Sequence, residues 1–404
     1  MRVLLAHPGT QHARRTASEL ERHALLGEFW TGLAWSETGS WATVVNRFAR
    51  LSWLKGQSNR IARGLPASRL HCQPTNELFA IGRLKLGHDS MRVLHERNRR
   101  FQEAIPVGSL RACDAVIAFD TSAWRLVERT NAVDRPLFLE RTIAHPSAFA
   151  PFEAELRRRH PAWCSDAIGR PGYLTSAEAI EHSESHRVVL GSSFARDTLL
   201  AHGVDPGKLR INPYGVDWVE FESPPAQQHD RPLRFLFLGA HVARKGLPDL
   251  LQAWHAIGTA RGEAELWLAG PCGDRERRLI PEMPGLRIIG PVPHVGVPAL
   301  LAQCDVLVLP SHFEGFSLTL LEALSAGLPL VTTPNSGSAD LLQSPVLGRS
   351  VAPGSIEELR AAIEMYLAHP PDRESVRAEF APLREYYSWR AYGDRWSSLL
   401  HETI

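Results

Sequence analysis

No window of the 404-residue sequence approaches 18 uninterrupted apolar residues, so no stretch reads as a membrane-spanning helix. The opening residues, Met1-Arg2-Val3-Leu4-Leu5-Ala6-His7-Pro8, turn polar too soon for a signal peptide, and a cytoplasmic protein is expected. Cysteine is scarce: Cys72, Cys113, Cys164, Cys272 and Cys304 are odd in number, widely scattered and free of any CxxC pair. That pattern suggests neither a disulfide framework nor a zinc site, and no metal is expected. An excess of one charge is missing as well, since the formal net charge is +1. With no recognised binding motif either, the electrostatic footprint is too small for a nucleic-acid partner.

What is present is ordinary globular composition, 44% hydrophobic and 22% charged, in a chain longer than one hydrophobic core usually serves. Two domains are expected. Residues 1–215 hold 29 Lys and Arg against 21 Asp and Glu, whereas residues 216–404 hold 16 against 23. The halves therefore differ as separate domains do, and two complementary lobes facing one another explain the split as well as separate partners.

Arg2-Val3-Leu4-Leu5-Ala6, then His7-Pro8-Gly9-Thr10, then a helical pattern over about 11–22 reads as the first strand-turn-helix unit of a doubly wound sheet. Short β-prone runs recur at 115–119, 136–139 and 187–190, interrupted by a less regular region from about 36 to 101. A polar, proline-containing stretch at 222–232 looks like an interdomain linker. Five further runs, at 234–238, 265–268, 286–289, 306–309 and 329–332, predict a second Rossmann-like domain. The tail places Leu383, Tyr387, Tyr392, Trp396, Leu399 and Leu400 at roughly helical spacing, as a segment returning across the lobes does. The expected division is 1–217, a linker at 218–232, 233–380 and a helical segment at 381–404.

Ligands of an open parallel sheet bind beyond the carboxyl ends of its strands, so the residues after each strand carry the chemistry. After the 306–309 run comes Pro310-Ser311-His312-Phe313-Glu314-Gly315-Phe316-Ser317 and a helix over 318–326. Gly315 permits close backbone approach, and free N–H groups at Ser317 and Leu318 suit an anionic group such as a diphosphate. Glu322 stands on an otherwise apolar helix, where a carboxylate needs a partner that ribose hydroxyls would supply. A loop carboxylate at Glu314 and a salt-bridged helix residue at Glu322 form the purely structural alternative.

Glu314 and Glu322 bracket seven residues, and this EX7E segment in its context, His312 to Pro329, resembles the retaining glycosyltransferases of family 4. The resemblance implies the GT-B fold: two Rossmann-like α/β domains facing a central cleft, with a C-terminal helix crossing back to the first. It further implies that Glu322 binds the donor ribose, while Glu314, Gly315, Phe316, Ser317 and Leu318 meet the transferred sugar and diphosphate. Phe237-Leu238-Gly239-Ala240-His241-Val242-Ala243-Arg244-Lys245-Gly246 resembles the same family's glycine loop and Lys-Gly turn. There Gly239 and Lys245 bind the donor, Lys245 neutralising the leaving diphosphate. Many members carry arginine directly after the loop glycine; here that residue is Ala240, so its role moves to Arg244 or is lost. Residues 190–196 and 210–217 resemble the family's last N-terminal strand-helix unit and its hinge. His145, after the 136–139 strand, is the candidate for the histidine that reaches the donor sugar, and Gly9 is the safest residue to name in the first loop.

The implied activity is metal-independent, retaining transfer from a nucleotide sugar, UDP- or GDP-linked, to a glycan or lipid-linked hydroxyl in bacterial-type polysaccharide, glycolipid or glycoconjugate synthesis, with no cofactor. Sugar-nucleotide epimerisation, phosphorolysis and a non-catalytic sugar-nucleotide-binding subunit are the rivals; the absence of GxGxxG after either first strand disfavours a dinucleotide oxidoreductase. Residues 30–63 interleave Trp30, Trp35, Trp41 and Trp53 with arginines, a pattern that suits an anionic inner-membrane surface or equally a helix packed on the sheet.

Overall fold

A computed structural model describes residues 1–9, 11–36, 61–62, 64–164, 170–221, 231–258 and 264–404. Most of the short apolar runs become strands covered on both faces, the condition under which parallel strands read as continuous hydrophobic stretches, while the edge strand at 286–290 is partly exposed. In the first lobe these are β1 (Val3–His7), β2 (Leu26–Thr31), β5 (Leu70–Cys72), β6 (Ala115–Phe119), β7 (Leu137–Arg141), β8 (Arg187–Leu190) and β9 (Leu209–Ile211), with a separate two-strand pair β3 (Trp35–Ser36) and β4 (Ile61–Ala62). The main sheet is parallel in the order β5-β2-β1-β6-β7-β8-β9.

The second lobe holds β10 (Leu233–Leu238), β11 (Ala264–Ala269), β12 (Leu286–Gly290), β13 (Val306–Leu309), β14 (Leu330–Thr332) and β15 (Gly348–Ser350), again parallel, in the order β12-β11-β10-β13-β14-β15. The sequence reading foresaw five of these strands; β15 is short and two of its three residues are exposed, which left it no apolar run to read. Both sheets reverse their winding, between β1 and β6 and between β10 and β13, and each reversal opens a crevice at the strands' carboxyl ends.

The region from 36 to 101 is more regular than its sequence suggested. Two helices, Pro74–Lys85 and Ser90–Ala104, fill its second part, the later one running past Phe101. Their signals were local rather than periodic: Pro74 occupies the first turn, and the Asp89 carboxylate caps the second helix by accepting the Arg92 N–H at 2.7 Å. Few of their side chains are buried, so no broad apolar stripe marked them. Trp41 and Trp53, with the arginines between them, lie outside the described residues; Trp30 is in β2 and stacks on His71 at 4.7 Å.

Among the described residues, the lobes meet most extensively in three places. At the hinge, Val216 pairs with Ser388, and a Cβ on Gly215 would collide with the Trp389 backbone. The last helix, Trp389–Thr403, then packs on the first-lobe helix Ala13–Arg22, where Tyr392 meets Thr16 and Glu140, each at 2.8 Å. In the middle, Phe313 leaves the second lobe to pack against Phe149, Phe152 and Phe194 of the first. A third contact, farther along the cleft, runs through Asp249 and residues 159–164.

Candidate functional site

The β10/β13 reversal brings two distant loops together. Beyond β10, a short 3-10 turn at Ala243–Lys245 ends on Gly246, whose φ of 74° is left-handed and where a Cβ would collide with the Pro310 carbonyl. Only glycine fits that position, and it turns Arg244 and Lys245 toward the crevice. Lys245 runs over Gly239, where a Cβ would lie 3.7 Å from the Lys245 Cε, in ordinary contact. From beyond β13 comes Glu314, whose Oε1 forms ion pairs with Lys245 Nζ at 2.6 Å and Arg244 Nη1 at 2.8 Å. Burial alone would raise this carboxyl, but Lys245 and Arg244 more than offset it and hold the group below the usual carboxylate range. Two cations and one buried carboxylate leave the crevice with surplus positive charge, the arrangement a departing diphosphate needs.

The rest of the 314–322 segment serves a different purpose from the one expected. Gly315 forms an antiparallel bridge with Ile143, its carbonyl accepts Ser192 Oγ at 2.5 Å, and a Cβ there would strike the Thr142 carbonyl. The close approach this glycine permits is thus to the first lobe. Phe316 is buried against Tyr214 at 5.8 Å and Tyr387 at 6.1 Å. The Ser317 N–H, expected to be free, donates to the Ser336 carbonyl at 3.1 Å, because the 334–336 turn folds beneath the loop; Leu318 opens the helix Leu318–Ser325. Glu322 lies on that helix, 8% exposed, and its Oε1 meets His294 Nε2 at 3.0 Å. That pairing raises the His294 pKa above its ordinary value despite partial burial.

His145 is not brought to the Lys245–Glu314 pair by any of its described contacts. Its Nδ1 accepts the Ser147 N–H at 3.3 Å and its ring stacks on His202 at 4.2 Å, with His182 5.3 Å away. Burial, helped by His202 and Arg141, lowers it to about 4. Its neighbour Ala144 does reach the site, donating its N–H to the Glu314 carbonyl at 3.3 Å. Gly9 sits beside His7, where a Cβ would come 2.8 Å from the ring's Nε2. His7 ends β1 with both ring nitrogens buried and, among the described residues, without a hydrogen-bond partner, and burial pushes it down to about 3.

Several polar groups at the first lobe's reversal escaped sequence reading. His12 Nε2 meets Glu140 Oε1 at 2.5 Å, and the same oxygen accepts the Tyr392 hydroxyl. Glu140 carried a usable signal, a carboxylate beside Arg141 at the carboxyl end of a strand that is apolar up to that point; His12 and Tyr392, 380 residues apart, carried none. Among the described residues, no group of three or more His, Cys, Asp and Glu is arranged to hold a metal ion.

Residues 232–369 match the family of glycosyl transferases group 1. The second lobe is a group 1 glycosyltransferase domain. Around this group 1 domain, the chain is similar to a glycogen synthase of Mycobacterium tuberculosis, 26% identical over 239 residues covering 57% of each chain. It is also similar to an MMP alpha-(1->4)-mannosyltransferase of Mycolicibacterium hassiacum, 29% identical over 237 residues and 54% of each chain. The chain thus spans a little over half the length of these curated relatives. Among solved structures, Anabaena Alr3699/HepE, in complex with UDP and glucose, superposes over 100% of both chains with a TM-score of 0.65 at 13% identity. The two facing parallel sheets and the returning helix are the GT-B fold, with the group 1 domain as the second lobe.

Proposed function

We propose that the protein is a retaining, metal-independent glycosyltransferase of family 4 that moves a sugar from a UDP- or GDP-linked donor to a hydroxyl of a glycan or lipid-linked acceptor. Residues 1–217 form the acceptor side and 233–380 the donor side. The observation that carries this reading is the convergence of Arg244 and Lys245 on buried Glu314 at the β10/β13 reversal, inside a group 1 domain. The bond between the anomeric carbon and the diphosphate oxygen breaks, the acceptor oxygen bonds on the same face, and its proton passes to the departing phosphate. Lys245 and Arg244 take up the charge that develops on that phosphate, a task otherwise given to a metal ion. Arg244 thereby fills the role vacated at Ala240. Glu322 holds the ribose through the oxygen that His294 leaves, and His145 caps the turn Pro146–Phe149 that follows the loop meeting Glu314 rather than touching the sugar.

Relatives similar to this chain include a lipopolysaccharide 1,6-galactosyltransferase of Salmonella typhimurium, 27% identical over 192 residues, which favours polysaccharide or glycolipid synthesis as the setting. No described helix is long and apolar enough to cross a membrane. Peripheral contact with the inner membrane surface is supported instead by the helices Pro74–Lys85 and Ser90–Ala104 and the turn between them, which expose Leu78, Phe79, Leu86 and Met91 beside Arg83, Lys85 and Arg92. Binding to anionic but not neutral vesicles, lost in a Leu78→Ser, Phe79→Ser, Leu86→Ser variant, is the expected result.

The decisive experiment is a thermal-shift screen of UDP, GDP, ADP and their sugars, followed by transfer assays with the stabilising donor in EDTA. Transfer with retained anomeric configuration is expected. Epimerised or phosphorylated sugar in its place, or donor binding without turnover, would return the protein to one of its rivals.

A further inference from the structure

The third contact between the lobes centres on one carboxylate. Asp249 lies in the first turn of the helix Leu247–Ile257, directly beyond the turn that presents Lys245, and is 1% exposed. Its Oδ2 takes His312 Nε2 at 2.6 Å, from the residue two before Glu314. Its Oδ1 takes His160 Nε2 at 2.9 Å and Arg159 Nη2 at 3.0 Å, both from the first lobe. His312 and His160 are themselves 1% and 5% exposed. One oxygen therefore serves the Glu314 loop and the other serves the opposite lobe.

We propose that Asp249 is a positioning residue for the transfer reaction: it clasps the first lobe onto the second and, through His312, sets the Glu314 loop when the cleft is closed. The surroundings fit a clasp made on closure. Arg159 also donates to the Gly354 carbonyl at 2.6 Å, and Arg275 donates to the carbonyls of Ala162 and Cys164, so residues 159–164 lie across the second lobe. None of these groups shares a described contact with the hinge pairing of Gly215 and Val216 against Ser388 and Trp389. With the lobes apart, Asp249 keeps His312 but loses both first-lobe donors, and the carboxylate is returned to water. With the lobes together, a buried carboxylate must hold all its partners, since a missing one leaves uncompensated charge. The depressed pKa of Asp249, on which its two histidines outweigh burial, agrees with a carboxylate held ionised in this state. A Glu314 set only in the closed form would limit turnover to donor screened from water.

The catalytic half of this inference rests on the transferase reading; the clasp itself does not. Its test uses the full chain with His160→Ala, His160→Gln and Asp249→Asn. In the ligand-free protein, His160→Ala is expected to speed amide exchange in both 157–163 and 311–316 by about tenfold, the scale of one hydrogen bond to a charged group, and His160→Gln, which keeps an N–H donor, to restore most of the protection. With a donor that turns over, His160→Ala is expected to lower kcat and raise the share of donor hydrolysed rather than transferred, leaving the donor KM within about twofold, since uniform binding is untouched. Exchange at 311–316 unchanged in His160→Ala overturns the clasp even if no donor is ever found. Faster exchange with an unchanged hydrolysis share overturns the positioning role alone. Should Asp249→Asn fail to fold, the His160 pair decides both points.

Discussion

The two lobes carry the same winding but were built for different readability. In the second, the site comes from two loops on neighbouring strands, and each loop is a contiguous run: Gly239 to Gly246 after β10, and His312 to Glu322 after β13. In the first, the polar groups at the corresponding reversal come from three separate segments, the His7–His12 loop, Glu140 and Tyr392, the last near the far end of the chain. The lesson is that a site built from paired charges on two adjacent loops can be encoded in short motifs. A site shaped by side chains from many elements cannot.

The comparison can be broken most forcefully at Lys245. If the second lobe supplies the charge that the reaction needs, Lys245→Ala should lower kcat by about 10²–10³, the scale of removing one transition-state stabilising group, with a smaller loss for Arg244→Ala. Steady-state kinetics with the identified donor checks this, and an Arg244→Ala loss exceeding that of Lys245→Ala would reverse the assignment. Next in size is Gly315→Ala, where the new methyl meets the Thr142 carbonyl; a stability loss of about 1–3 kcal/mol is expected from this overpacking, read as a lower denaturation midpoint. A neutral result would show that the lobes slide past the obstruction and that the contact is dispensable.

Glu322→Gln should weaken donor binding by about tenfold, one charge-assisted hydrogen bond to ribose, and unchanged affinity in calorimetry would remove Glu322 from the donor site. The smallest effect separates the lobes by acid. Burial lowers His7 to about 3, His182 to about 3 and His145 to about 4 from an ordinary value of 6.5, so all three stay neutral in the folded first lobe. The unfolded chain takes up these protons first. Their neutral packing therefore contributes fully above pH 6.5 and is progressively lost as pH falls toward 3 to 4, where the folded rings also titrate. His7→Phe should flatten part of the fall in melting temperature between pH 6.5 and 4, and an unaltered slope would show that burial of His7 is not what makes the first lobe acid-sensitive.

Much of the architecture was legible in advance because parallel strands buried on both faces must be apolar throughout, which the runs at 115–119, 235–238 and 306–309 display. The two helices between 74 and 104 were not, because helices with most of their surface in water carry little periodic signal. Within the site, Glu314 and Lys245 were legible as motif residues, whereas the engagement of Gly315 and Ser317 by the first lobe and the 334–336 turn was not. Sequence gives a glycine's permission for close approach without naming what approaches.

By itself the sequence determined two α/β units, the strand ends at which their chemistry must lie, and the carboxylates and cations available there. Local propensity and hydrophobic burial act through neighbours in the chain, so they leave a readable trace. The tertiary structure alone decided which partners those groups take: Lys245 and Arg244 on one oxygen of Glu314, His294 on Glu322, and His160 and His312 on the two oxygens of Asp249. Each pairing joins residues between 28 and 89 positions apart. Such contacts depend on how sheets wind and lobes meet, and no spacing along the chain records that.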